Sequence, residues 1–329
     1  MEKEVLVRIR DLSVTYHTRI GAVSAVDHVS FDIYKGEILG LVGESGCGKS
    51  TLGKALLRMI DPPGEISSGA ILFDDENIME FNDTQMRDFR GRRASMIFQD
   101  PMTSLNPVQR IDEHLIETIQ VHEPHTKRDA ALERSKKMIE RLGIGDDRLI
   151  SYPHQLSGGM RQRVMTGIGL ILNADLIIAD EATTSLDVIV EAKLADQLKE
   201  IREEFGVSLL MITHNIALVA EMADRIAVMY AGHMVEIGDI YEVFENPKHP
   251  YTQGLLASVP NIRFDEQEQL YKMPGEPPNL THPPQGCRFH PRCPHAMPIC
   301  SKQEPGLIEI EKGWMVHCWL YQKPPASEE

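Results

Sequence analysis

Residues 43–51, GESGCGKST, place three glycines, a lysine and two adjacent hydroxyl residues within one short run. Glycines at 43, 46 and 48 let successive backbone N–H groups turn toward one point, and a helix starting near Lys49 aims its N-terminus at the same point. A concavity of that kind holds phosphate. The candidate nucleotide contacts are Gly43, Ser45, Gly46, Cys47, Gly48, Lys49, Ser50 and Thr51. Lys49 supplies charge to the β- and γ-phosphates, Ser50 is a candidate Mg²⁺ ligand, and Cys47 fills a free position of the pattern.

A second run, LIIADE at 176–181, is an apolar stretch that ends in two carboxylates. At the end of a strand, and downstream of a phosphate loop, Asp180 would hold Mg²⁺ through water and Glu181 would polarise an attacking water. A third group is sulfur: of five cysteines, Cys287, Cys293, Cys300 and Cys318 lie near the C-terminus, spaced C-x5-C, C-x6-C and C-x17-C. Four thiolates can hold zinc or an iron–sulfur cluster, although the C-x2-4-C knuckles usual in structural zinc sites are missing. His290, His295 and His317 lie close by, but the cysteines already make a set of four.

These groups need elements to position them. Residues 5–16 and 22–33 alternate as strands, 37–43 reads as a buried strand, and 49–60 reads as an amphipathic helix. Residues 112–142 have helical periodicity, 175–180 and 207–213 read as buried strands, and 189–205 reads as a helix. The pattern is α/β with an antiparallel start. Prolines crowd the chain after about residue 258, which predicts a small, loop-rich second module over 259–329.

A chain of 329 residues with 42% hydrophobic content has room for about two domains and an ordinary core. A net charge of -15 opposes any broad grip on a phosphate backbone, so nucleic acid is not expected as the main ligand. The start, MEKEVLVRIRDL, lacks the apolar run of a signal peptide, and the most apolar segment, VMTGIGLILNADLIIAD, is broken by Asn173 and Asp175. No membrane span is expected. The odd cysteine, Cys47, and the absence of a signal segment point to a reducing cytosolic compartment rather than a disulfide framework.

LSGGMRQR at 156–163 resembles the signature motif of ATP-binding-cassette (ABC) ATPases. Other pieces of that family's pattern follow in order: Tyr16 as the adenine-stacking aromatic, Gln99 in MIFQD, Ser185-Leu186-Asp187 after Glu181, and His214 in MITHN. The resemblance implies an ABC-type nucleotide-binding domain over 1–258: a P-loop core, an antiparallel β subdomain, and an α-helical subdomain over about 100–173. It also implies two cassettes packed head to tail, so that Ser157, Gly158 and Gly159 contact ATP bound by the other chain. Glu181 is then the base, His214 stabilises the γ-phosphate, and Ser50, Gln99 and Asp180 attend Mg²⁺. Two positions depart from the family pattern. Met160 replaces the commoner glutamine of the signature, and Ala182 replaces the proline that usually follows the glutamate.

DPMTSLNPVQRIDEHLIE (100–117), NPKHPYTQGLLASVP (246–260) and MPGEPPNL (273–280) are similar to segments of the ATPase subunits of bacterial oligopeptide and dipeptide importers, the dipeptide type especially. That likeness implies a second homologous ATPase, two transmembrane permeases and an extracytoplasmic substrate-binding protein as partners, and a peripheral place on the cytoplasmic face of the membrane. It implies a [4Fe-4S] cluster on Cys287, Cys293, Cys300 and Cys318, with zinc as the alternative. Similar ATPases also serve nickel chelates and other small solutes. A soluble ABC ATPase of DNA repair or translation would share the phosphate chemistry, but it usually carries two cassettes in one chain or a basic surface.

Overall fold

A computed structural model describes residues 3–98, 104–181, 188–258 and 273–323. The strands are β1 (Val5–Thr18), β2 (Gly21–Tyr34), β3 (Ile38–Val42), β4 (Gly64–Phe73), β5 (Glu76–Asn77), β6 (Ala94–Ile97), β7 (Leu176–Asp180), β8 (Ser208–Ile212), β9 (Arg225–Tyr230), β10 (His233–Asp239), β11 (Ile308–Glu311) and β12 (Trp314–Val316). The α-helices are α1 (Lys49–Leu56), α2 (Asp83–Arg92), α3 (Ile111–His122), α4 (Arg128–Arg141), α5 (Gly158–Leu170), α6 (Val188–Phe205), α7 (Ile216–Met222), α8 (Ile240–Glu245) and α9 (Pro250–Ala257).

The chain forms two compact units. One gathers Leu6–Asp32, Ile38–Met79 and Thr213–Glu329, and the other Met1–Val5, Ile33–Glu37 and Glu80–Ile212. In the first, β2-β1-β4-β5 make a sheet in which β1 and β4 run antiparallel, and Tyr16 sits opposite Gly64. A side chain at 64 would collide with the Tyr16 ring, since a Cβ there would lie 2.5 Å from its Cε1. The same unit holds β3 parallel to β9, with β10, β12 and β11 added antiparallel in turn. The second unit holds the parallel run β6, β7, β8, whose buried apolar residues form continuous stretches as parallel strands require.

The helical part of the second unit follows from 3.6-residue spacing. Ile111, Leu115, Ile116 and Ile119 line one face of α3 and meet Ala131, Ile139, Leu156, Val164 and Met165 in one cluster. The periodicity over 112–142 resolves into two helices rather than one. Pro124 cannot continue α3, which ends at His122, and α4 starts afresh at Arg128. Arg134 ties the two by donating to Glu123 at 2.7 Å. The helix expected over 49–60 stops at Leu56, where Arg58 takes a left-handed φ of 49° and the prolines at 62 and 63 follow. No described helix is long and apolar enough to cross a membrane.

Candidate functional site

The phosphate-loop residues sit between β3 and α1. Gly43 and Gly48 have φ of 154° and 108°, and a Cβ at either would fall about 2 Å from a backbone carbonyl, at Met229 (2.1 Å) and Ala25 (2.0 Å). Both positions therefore require glycine. Gly46 has φ of 78° and meets nothing within 4 Å, so that part of the loop is open. Gly48 is also the N-cap of α1 and offers no side chain there, so no side-chain cap covers the helix N-terminus. The Lys49 ammonium is buried and donates to the carbonyls of Gly43 (2.8 Å) and Glu44 (3.0 Å). It thereby closes the loop on itself. Ser45 and Gly46 are exposed, Ser50 and Thr51 half-buried. Cys47 is buried, and burial raises its thiol pKa. A neutral packed thiol is what a filler residue should be.

In the second unit, all of β7 is buried and delivers Asp180, itself buried, at its end. Glu181 follows in a left-handed turn with φ of 46°, and its N–H donates to the Ile212 carbonyl at 2.8 Å. That sharp turn re-aims a half-buried carboxylate immediately after the strand. The signature lies at the start of α5: the Ser157 hydroxyl caps the helix by accepting from the Met160 N–H at 3.3 Å. Ser157 and Gly158 are exposed, and a Cβ at 158 would touch nothing within 4 Å. Met160 packs its side chain against the helical cluster, so the glutamine-to-methionine departure is spent on packing. His214, in the first unit, is exposed just before α7, whose N-cap Asn215 accepts from the Leu218 N–H. Gln99, Ser185, Leu186, Asp187 and Ala182 lie outside the described residues.

The C-terminal segment is knitted to β10 by one buried acid. The Glu236 carboxylate accepts from the N–H groups of Lys248 and His249 (2.9 Å each) and from the Trp314 indole (3.0 Å). The His249-Pro250-Tyr251 run then starts α9. His249 Nδ1 caps that helix by accepting the Tyr251 N–H at 3.0 Å, and the Tyr251 hydroxyl accepts the Glu44 N–H of the phosphate loop at 2.9 Å. That link joins residues 207 positions apart, so no local pattern in the sequence announces it.

Burial pushes His249 down to about 3 from an ordinary value near 6.5. A base depressed in the folded state takes up its proton in the unfolded state first. The stability it leaves intact near neutrality is therefore lost as pH falls through 6.5 toward 3, at up to about 1.4 kcal/mol per pH unit. Thermal melts at pH 7 and pH 5 should show a smaller acid loss for His249→Asn, which keeps a capping acceptor but no titration. An equal loss would contradict this.

In the tail, Cys300 and Cys318 are buried, Cys287 and Cys293 half-buried, and none forms a disulfide. The Cys287 N–H donates to the Cys300 carbonyl at 2.8 Å, and the Met297 N–H points at the Cys300 sulfur at 3.4 Å. Burial raises Cys287 to about 12 and Cys318 to about 11; Cys287 also feels Cys318, Cys300 and Cys293, and Cys318 feels Cys293 and Cys300, which places the four thiols in one neighbourhood. Among the described residues, one group of three metal-capable ligand atoms lies within 4.8 Å of one another: His233, Glu304 and His317. Glu304 Oε1 is 2.8 Å from His233 Nδ1 and 3.4 Å from His317 Nε2, with the two rings stacked 5.3 Å apart. Burial works against the Glu304 charge, but the bonds to both rings outweigh it and hold the carboxyl well below the usual range. The trio clamps the tail to β10. The segment Pro277–Leu280 walls a cavity of about 290 Å³ together with Glu44–Cys47, Tyr230 and Ala231.

The fold is that of an ABC cassette. A dimeric bacterial ABC transporter cassette, MJ0796, superposes with a TM-score of 0.65 over 71% of this chain and 99% of its own, at 23% identity. The ABC transporter family model matches residues 26–184, and the C-terminal region of oligopeptide/dipeptide transporters matches 235–300. The dipeptide transport ATP-binding protein DppD of Bacillus subtilis is 44% identical over 96% of this chain and 95% of its own length. The oligopeptide transport ATP-binding protein OppD of the same organism is 42% identical over 96% and 88%. This chain belongs to the ABC transporter ATPases that carry the oligopeptide/dipeptide-type C-terminal region.

Proposed function

We propose that this chain powers the import of dipeptides or oligopeptides as one of two ATPase subunits on the cytoplasmic face of a membrane transporter. The reading is carried by a likeness that runs through nearly the whole chain to peptide-transport ATPases and includes the tail, well beyond the shared cassette. The remaining partners are a homologous second ATPase, two permeases and an extracytoplasmic peptide-binding protein. The region 100–157 is the docking surface for the permeases, and the net charge of -15 argues against nucleic acid as a partner.

In this account the loop 43–51 binds the triphosphate with its N–H groups and the N-terminus of α1, while Tyr16 stacks on adenine. Lys49 exchanges its loop carbonyls for the β- and γ-phosphates, a substitution of charged for neutral acceptors. Ser157, Gly158 and Gly159 contact the nucleotide held by the other cassette, through a hydroxyl and helix-end N–H groups; Ser157 and Gly158 are exposed in the single chain. Glu181 takes the proton of the attacking water, and His214 donates to the γ-phosphate as charge builds. Ser50, Asp180 and Gln99 would hold Mg²⁺, which neutralises phosphate charge when bound. Hydrolysis removes the group that both cassettes grip, and the pair opens.

Cys287, Cys293, Cys300 and Cys318 would hold a [4Fe-4S] cluster, with zinc as the alternative; two of the four thiols are buried and two half-buried, and they lie near enough to feel one another's charge. The cluster's work here is to order a proline-rich segment.

Uptake of a labelled dipeptide by cells lacking this chain tests the reading. Wild-type chain should restore uptake, and Lys49→Ala should not. Restored nickel uptake without peptide uptake would reassign the solute.

A further inference from the structure

An acid inside a phosphate-binding loop is electrostatically out of place, because the ligand carries several negative charges. Glu44 is such an acid, one residue after Gly43. Its carboxylate is met by a bidentate arginine from far along the chain: Arg292 Nη1 to Glu44 Oε2 at 2.8 Å and Nη2 to Oε1 at 3.0 Å. Arg292 is buried, and two of its three remaining N–H donors are held as well, Nε on the Pro274 carbonyl (2.9 Å) and Nη1 also on the Tyr230 hydroxyl (3.3 Å). The guanidinium is therefore a pre-set fork rather than a wandering surface charge.

The other sides of Glu44 are held too. Its N–H is taken by the Tyr251 hydroxyl and its carbonyl by Lys49. Its N–H is thus engaged by the tyrosine, while its carbonyl holds the lysine that must meet the phosphates.

We propose that Arg292 is a positioning residue for ATP binding: it neutralises Glu44 and fixes the first turn of the phosphate loop, so that the cysteine-bearing tail sets the loop's affinity for nucleotide. The inference rests on residues 43–51 being the phosphate loop. Arg292 stands between Cys287 and Cys293, so the contact that neutralises the loop also fastens the cysteine module to it. Removing the guanidinium leaves a bare carboxylate beside the triphosphate and frees the backbone that holds Lys49. Both effects weaken binding, and the first is reversible by removing the acid.

The test is a titration of a fluorescent ATP analogue into the full-length, anaerobically purified chain, with iron content measured in every sample. Arg292→Met should raise the dissociation constant about tenfold, and in the assembled transporter the loss should fall on KM rather than kcat. Arg292→Lys should recover part of it, keeping charge without the fork. The double variant Glu44→Gln with Arg292→Met should recover most of it, since no uncompensated charge remains; a purely structural strut would show no such rescue. Wild-type affinity in Arg292→Met, or a double variant as weak as the single, overturns the proposal. Should Arg292→Met lose its iron or fail to fold, Arg292→Lys alone decides: an unchanged dissociation constant and an unchanged salt dependence overturn it. Lys49→Ala separates the two readings, because wild-type affinity there would refute the phosphate loop itself.

Discussion

Glu181→Gln should bind ATP as tightly as the wild type and yet turn over at least about a hundredfold more slowly, the usual cost of removing a general base. The substitution keeps the shape of a side chain set in a φ 46° turn whose N–H is fixed on Ile212, so the loop should hold its course. What disappears is the acceptor for the water's proton. With hydrolysis blocked, the γ-phosphate stays in place and the two cassettes should remain closed, visible as a stable ATP-dependent dimer by gel filtration. Normal turnover in this variant would remove Glu181 from its role. Lys49→Ala should fail differently, at binding, because the ammonium that braces Gly43 and Glu44 is lost.

Replacing Cys287, Cys293, Cys300 and Cys318 together by serine should collapse the tail. Metal-held small modules draw on the order of 10 kcal/mol from their ligands, far more than this loop-rich segment gains from its two short strands. Wild-type chain purified without oxygen should be brown, with about four iron and four sulfide per chain. The variant should be colourless and cleaved by protease within residues 273–323. Stoichiometric zinc without iron, or a tail equally resistant in the variant, would overturn the cluster.

The candidate nucleotide site was legible because it is written in short contiguous runs: a phosphate loop must alternate glycine with polar residues locally, and an acidic strand end needs its carboxylates adjacent. What stayed hidden depends on distant partners. Nothing near Glu44 announces that Arg292, 248 positions on, will neutralise it. Nor does HPY declare that its tyrosine reaches the same loop. Strand β10 and its pairing with β12 escaped notice because short strands, Trp314–Val316 among them, carry too few residues for a period to appear. Periodicity also ran through 112–142 unbroken, since two helices joined by a proline turn can keep one apolar face. The signature's trans role was available only through family likeness; its exposed Ser157 and Gly158 are consistent with meeting another chain.

The central claim is that ATP hydrolysis here serves peptide import, and the ATPase rate of the transporter reconstituted in lipid vesicles tests it most directly. With the second ATPase, both permeases and the binding protein present, the rate should rise when the binding protein is loaded with a dipeptide or oligopeptide, and the rise should vanish with Glu181→Gln in this chain. A rate indifferent to peptide, or one raised instead by nucleic acid with no membrane partner present, would contradict it.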